Sequence, residues 1–139
     1  MKIRSYQASD EASVISLWEA CDLVRPWNDP RKDIQRKLTV QPELFVVGLL
    51  GAELVATVMA GYDGHRGWVN YLAVAEQHRR RGFGRVLMQQ VEARLKELGC
   101  PKLNMQVRAT NRAVVAFYER LGYAEEHNIS LGKRLIPDN

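Results

Sequence analysis

Three apolar runs stand in close succession near the middle of the chain: LFVVGLL (44–50), ELVATVMAGYD (53–63) and WVNYLAV (68–74). The links between them are short. Gly51-Ala52 reads as a hairpin turn, and GHRG (64–67) as a second turn. Links of this length join neighbouring antiparallel strands, and the third run is apolar enough to lie centrally in a sheet.

The flanking segments then have few arrangements open to them. KIRSY predicts an opening strand. Asp10 predicts a helix N-cap, followed by Val14, Leu17, Trp18 and Cys21 at helical spacing. RPWNDP breaks the pattern, after which Asp29 as cap and Pro30 at the first position predict a short helix carrying Ile34 and Leu38. Downstream, a helix is expected from Gly82, with Leu87, Val91, Leu95 and Leu98 on one face and Gly99 with Pro101 as its stop. KLNMQVR (102–108) predicts a strand and NRAVVAFYERLG (111–122) a helix, and YAEEHNISLGKRL predicts one or two closing strands. The order is β-α-α-β-β-β-α-β-α-β(-β). Hairpins first and crossovers later predict an α/β fold, a mixed twisted sheet with helices on both faces. With 139 residues, and neither a repeat nor a Ser/Gly linker, a single domain over 1–139 is expected.

The most basic stretch is HRRRGFGR (78–85). The net charge is +4, and Arg79, Arg80, Arg81 and Arg85 account for all of it. Such local basicity favours a small anion over a broad nucleic-acid face. A dinucleotide fingerprint needs a glycine where Leu87 stands, and a phosphate-binding P-loop needs Lys-Ser/Thr where Arg85-Val86 stands. What remains is a strand, a loop and a glycine-bearing turn that opens a helix. There the unpaired N–H groups and the helix dipole attract an anion such as a pyrophosphate. The plainer reading of the same stretch is a solvated helix start. Asn111 and Tyr118 lie two turns apart on one face of the later helix. Taken alone, Tyr118 reads as a packed amphipathic residue.

No run reaches the roughly 18 apolar residues of a membrane span, and MKIRSYQASDEAS has no signal-peptide core. A cytoplasmic protein with two buried, reduced thiols at Cys21 and Cys100 is expected, without metal-ligand spacing. Trp18 reads as core, while Trp68 reads as core or interface, leaving room for a homodimer.

Together, YLAVAEQHRRRGFGRVLM, with Arg79-x-x-Gly82-x-Gly84, and NRAVVAFYERLGY resemble motifs A and B of the GNAT N-acetyltransferases. Val114 departs from the alanine common in that family. CDLVRPWNDP, AGYDGHRG and SLGKRLIPD resemble the YpeA-type bacterial members. The resemblance implies a bacterial acetyl-coenzyme A-dependent acyltransferase without a metal, acting by direct attack in a ternary complex. Its acceptor would be a primary amine of a small molecule or of a peptide or protein N-terminus. The alternative is a GNAT domain that binds acyl-coenzyme A without transferring it; neither nucleic acid nor membrane is expected as a partner. The resemblance puts the pyrophosphate on Arg79, Arg80, Arg81, Gly82, Phe83 and Gly84, with Arg85 nearby. It puts the pantetheine arm along Leu72, Ala73 and Val74, where the strand splays from 102–108, and against Asn111. Tyr118 would be the general acid and contact the coenzyme. For the acceptor side, Trp27, Asn28, Asp63, His65 and Asn70 are candidates. Asp63, His65 and Glu53 are weighed as general base against turn, loop and strand-end roles, with a water route as the other option.

Overall fold

The computed structural model describes all residues, Met1–Asn139. The chain divides into two compact units, Met1–Met105 with Asp138–Asn139, and Gln106–Pro137. No helix is long and apolar enough to cross a membrane.

The first unit is built on a five-stranded sheet in sequential order: β1 (Lys2–Ser5), β2 (Phe45–Leu50), β3 (Glu53–Tyr62), β4 (Gly67–Val74) and β5 (Leu103–Met105). The first three pairings are antiparallel, and β4 with β5 is parallel. A parallel pair needs a crossover, supplied by α3 (Phe83–Glu97). Along β3 every residue from Val55 to Ala60 is buried. A strand buried at consecutive positions is covered on both faces. Accordingly α1 (Glu11–Ala20) packs on β3 and β4, and α3 packs on β2, β3 and β4. Val14 and Trp18 of α1 and Leu87, Met88, Val91 and Leu95 of α3 are the buried stripes.

Local chemistry sets the entry to each early helix. Asp29 accepts a hydrogen bond from the Arg31 N–H at 2.9 Å and Pro30 opens α2 (Pro30–Lys37), as the sequence predicts. Ile34 is buried, but Leu38 falls at the C-cap and is 40% exposed, while Lys37 takes the buried position one residue earlier. Burial pushes the Lys37 ammonium below its ordinary pKa.

Asp10 does not cap α1 with its side chain. Instead it accepts from both terminal nitrogens of Arg4, at 2.7 and 3.0 Å, and from the Gln7 N–H at 2.8 Å. The Arg4 hydrogen bond, opposed by burial and aided by Gln7, holds its carboxyl below the usual range. A depressed folded-state pKa adds stability that is present above the unfolded value near pH 4 and lost as pH falls through the folded one. Asp10→Asn should therefore flatten the acid limb of the stability–pH curve, measured by urea denaturation between pH 2 and 6.

The second unit carries α4 (Arg112–Arg120). The closing strands expected from YAEEHNISLGKRL are absent: residues 124–137 form neither helix nor strand. Ile129 and Leu131 alternate as a strand would, yet they are 88% and 91% exposed. Alternation marks a candidate strand, but only a hydrogen-bonded partner makes one. The strand expected over 102–108 is likewise cut to three residues. Both cysteines are free and half-buried rather than buried. Trp68 is neither core nor fully exposed, and its Nε1 donates to Asp63 Oδ2 at 3.1 Å.

Candidate active site

The chemistry-bearing part of the first unit starts with an irregularity in β4. Thr57 pairs with Ala73 and Met59 with Asn70, so β4 spends one residue more than β3 over this span. The extra residue is a bulge, and Tyr71 takes a left-handed φ of 54° there. A side chain in that region costs about 1–2 kcal/mol, so the surroundings must hold it. Tyr71 stacks on Trp18 with ring centroids 3.8 Å apart. Thr57, deep in β3, donates its hydroxyl to the Tyr71 carbonyl and accepts from Trp18 Nε1, both at 2.9 Å. The Tyr71 hydroxyl donates to Asp33 Oδ2 of α2 at 2.6 Å. Burial, then the bond to Asp33 and its charge, raise the phenol well above its ordinary pKa. Thr57→Val keeps the volume but strands two buried polar groups. It should cost about 1–3 kcal/mol by urea denaturation.

The bulge coincides with the end of the β4–β5 ladder, whose last pair is Val69 with Met105. Beyond it, the Ala75 N–H points back to the Val55 carbonyl at 2.8 Å. By strand alternation the N–H and C=O groups of Leu72 and Val74 face away from β3. Leu72 and Val74 are half-buried and Ala73 buried. The Val74 carbonyl is met by Arg79 Nε at 3.1 Å and by Cys21 Sγ at 3.6 Å, and the Arg79 guanidinium also reaches Cys21 Sγ.

A short 3₁₀ turn (Glu76–His78) leads from β4 into the arginine loop. Arg80 and Gly82 have φ of 65° and 80°. A Cβ on Gly82 would meet nothing within 4 Å, so this glycine faces open space at the mouth of α3. Gly82 is the N-cap, no side chain caps the helix, and its first turn contains no acid. Gly84 and exposed Arg85 sit in that first turn. Arg81 lies over the Phe83 ring at 5.1 Å and contacts His78 Nδ1 at 3.0 Å, whereas Arg80 extends exposed. Cations beside an uncapped N-terminus add to the positive end of the helix dipole, an arrangement that an anion relieves.

Asn111 and Tyr118 belong to the second unit. Asn111 is the N-cap of α4 and accepts from the Val114 N–H at 3.4 Å. Tyr118 is buried, with edge contacts to Phe117 and Tyr123 at 5.2 and 5.7 Å between centroids. Burial pushes its hydroxyl up to about 12.

The other candidates divide. Asp63 Oδ1 accepts from the His65 and Arg66 N–H groups at 2.8 and 2.7 Å, and these bonds, with Trp68, hold its carboxyl below the usual range. It serves the turn. His65 is exposed in that turn, and Glu53 meets His78 Nε2 at 3.6 Å and Gln77 Nε2 at 3.5 Å. Asn70 is exposed at the point where the ladder ends. Trp27 is 55% exposed and, with Asn28, precedes α2. Of the Trp18–Thr57–Tyr71–Asp33 chain the sequence singles out Trp18 alone, and only as a core residue. The one signal of that wiring was Thr57, a polar residue in the otherwise apolar LVATVMA.

A mixed sheet of this order is the fold of several solved acetyltransferases. The aminoglycoside 6′-N-acetyltransferase of Acinetobacter haemolyticus superposes with a TM-score of 0.75 at 18% identity, covering 98% of this chain and 99% of that one. The ribosomal-protein-S18-alanine N-acetyltransferase of Escherichia coli gives 0.73 at 22% identity, covering 90% and 78%. In sequence, the Acetyltransferase (GNAT) family profile matches residues 12–123. A Yersinia enterocolitica protein named an acetyltransferase is 53% identical over 138 residues, which are 99% of this chain and 98% of that one. An acetyltransferase of Pectobacterium atrosepticum is 49% identical with the same coverage. The chain belongs to the GNAT acetyltransferase family, and it is an acyltransferase.

Proposed function

We propose that the protein moves the acetyl group of acetyl-coenzyme A to a primary amine, on a small molecule or a peptide or protein N-terminus, by direct attack in a ternary complex. The whole chain, 1–139, acts as one GNAT domain in the cytoplasm. The observation that carries the reading is the start of α3: a glycine cap open to solvent, no acid in the first turn, and arginines around it. Nothing in the helix itself rewards that combination, and a pyrophosphate does.

In this reading Gly82, Phe83, Gly84 and Arg85 offer N–H groups to the pyrophosphate, and Arg80 and Arg81 add charge at its rim. Arg79 lies nearest the strand and holds the loop to Val74. The outward edge of Leu72, Ala73 and Val74 pairs with the pantetheine arm as an added strand would. To do so the arm must share or take over the Val74 carbonyl from Arg79. A main-chain N–H on this edge, at Val74, polarises the thioester carbonyl as charge develops on its oxygen. Asn111 contacts the pantetheine, in addition to capping α4. Tyr118 gives its proton to the departing thiolate. Its raised pKa keeps it protonated throughout the neutral range, and a site that disfavours phenolate also disfavours a bare thiolate.

The acceptor amine must lose a proton. Asp63 is tied into its turn and Glu53 is shared with His78 and Gln77. Transfer to water, past exposed Asn70, is the route that needs neither of them. Trp27 and Asn28 flank the acceptor side.

The test is titration calorimetry with acetyl-coenzyme A, followed by a thiol-release screen of polyamines, aminoglycosides, amino acids and N-terminal peptides. Saturable binding and acceptor-dependent thiol release are expected. Binding without release from any amine would overturn the transfer and leave a binding domain.

A further inference from the structure

One polar cluster of the first unit has no part in the reading above. It lies on α2. The carboxylate of Asp138 is seated against the entry of this helix and is buried. Its Oδ2 accepts from the Asp29 N–H and its Oδ1 from the Arg36 guanidinium, each at 2.6 Å. The Lys32 ammonium donates to the main-chain oxygen of the same residue at 2.5 Å. A main-chain N–H on one oxygen and a guanidinium on the other is how a protein holds a carboxylate it recognises.

Two observations separate this contact from an ordinary tether. First, Asp138 is the only buried residue between Ala124 and Asn139. Leu135 and Ile136, which a stabilising anchor would bury, remain 84% and 69% exposed. The attachment runs through polar contacts to one residue, its carboxylate and its main-chain oxygen, with Leu135 and Ile136 left exposed, so a competing carboxylate can replace it. Second, the holding groups do not depend on Asp138 for their position. Asp29 is fixed as the cap of α2, and Arg36 is also paired with Asp33 at 3.4 Å. Asp33 in turn accepts from Tyr71 at the bulge where β4 leaves β5. The cluster is thus wired to the strand edge assigned above to the thioester.

We propose that the Asp29 N–H, Lys32 and Arg36 form a subsite for a carboxylate carried by the amine acceptor, and that Asp138 occupies it until the acceptor takes its place. The inference rests on the acetyltransferase reading for its link to transfer, and on the α2 geometry alone for carboxylate binding. The substrate class it names is an amine with a carboxylate in reach, as in an amino acid or an acidic peptide, rather than a polyamine or an aminoglycoside.

Two measurements test it, the first independent of acetyl transfer. Glutarate and its neutral diamide are titrated at constant ionic strength, with sodium chloride as control. Heat is followed by titration calorimetry alongside tryptophan fluorescence, to which Trp27, two residues from Asp29, contributes with Trp18 and Trp68. Asp138→Ala should show saturable binding of glutarate but not of the diamide, at least tenfold tighter than the wild type. Adding Arg36→Gln should remove that binding and Arg36→Lys should restore part of it. Asp138→Asn repeats the comparison if the alanine variant does not fold. An unsaturable response equal to that of chloride overturns the proposal and makes Asp138 a structural contact. The second measurement compares kcat/KM for free amino acids, acidic peptides and the amides of both. Acids should exceed amides in the wild type, and Arg36→Gln should shrink that preference about tenfold while leaving the acetyl-coenzyme A Kd unchanged. Whether amino acids or peptides gain more distinguishes the two sources. Glutarate binding without any such preference overturns the acceptor assignment. Failure of acetyl-coenzyme A to bind at all would strike the transfer reading, whatever the glutarate result.

Discussion

Replacing Gly82 by glutamate is expected to weaken acetyl-coenzyme A binding by about 100-fold while the protein still folds. Two like charges 4 Å apart at an effective dielectric of 20 repel by about 4 kcal/mol, and screening at an exposed loop takes part of that away. About 2.7 kcal/mol remains as a working figure, and each 1.4 kcal/mol is tenfold. The folding cost is separate. A Cβ at Gly82 meets no atom within 4 Å, so the substitution brings no clash, only the strain of a side chain at φ 80°. That strain is about 1–2 kcal/mol, worth roughly 3–8 °C in Tm. Gly82→Ala carries the same strain without the charge and should lose far less affinity. Calorimetric titration of both variants, with melting curves alongside, separates the two effects. A glutamate variant that binds like the wild type would remove the pyrophosphate from this loop.

Tyr118→Phe is expected to have the opposite signature. The ring contacts with Phe117 and Tyr123 survive the change, so packing is kept. Only the hydroxyl is lost. General acid catalysis contributes about 10²–10⁴ in rate, so kcat should fall at least about 100-fold, with the acetyl-coenzyme A Kd within a factor of three. The wild-type pH profile carries a second mark. With the hydroxyl held near 12, no alkaline loss of the acid should appear below about pH 11. An unchanged kcat in the phenylalanine variant would return Tyr118 to a purely packed role.

The parts of the molecule that local chemistry governs could be read from the sequence. The hairpins around Gly51 and Gly64, the Asp29-Pro30 start of α2 and the stop at Gly99 are decided by residues next to one another. The buried run of β3 and the crossover through α3 then leave little choice of topology. The long-range polar wiring of the first unit was not legible, because its partners are far apart along the chain. Trp18 and Thr57 are separated by 39 residues, Tyr71 and Asp33 by 38, and Arg36 and Asp138 by 102. No periodicity encodes such pairs. The bulge was equally hidden, since Tyr71 is not a residue type that announces a left-handed backbone. For residues 124–137 the failure ran the other way. An alternating pattern was present, but the ladder that would make it a strand was not.

The extra residue in β4 also has a meaning for how such a strand can change. Because strand side chains alternate, one surplus residue would invert the phase of everything beyond it, and the bulge absorbs that inversion. Deleting a single residue between Asn70 and Ala73 would restore a flat, regular β4 and remove the strain at Tyr71. Ala73 and Val74 would keep their partners Thr57 and Ala56 and therefore their faces, so the bend alone would be lost. A more regular and more comfortable sheet would be the outcome, with its opening shut. The frame of this strand, more than any one side chain on it, separates a catalyst from a stable scaffold.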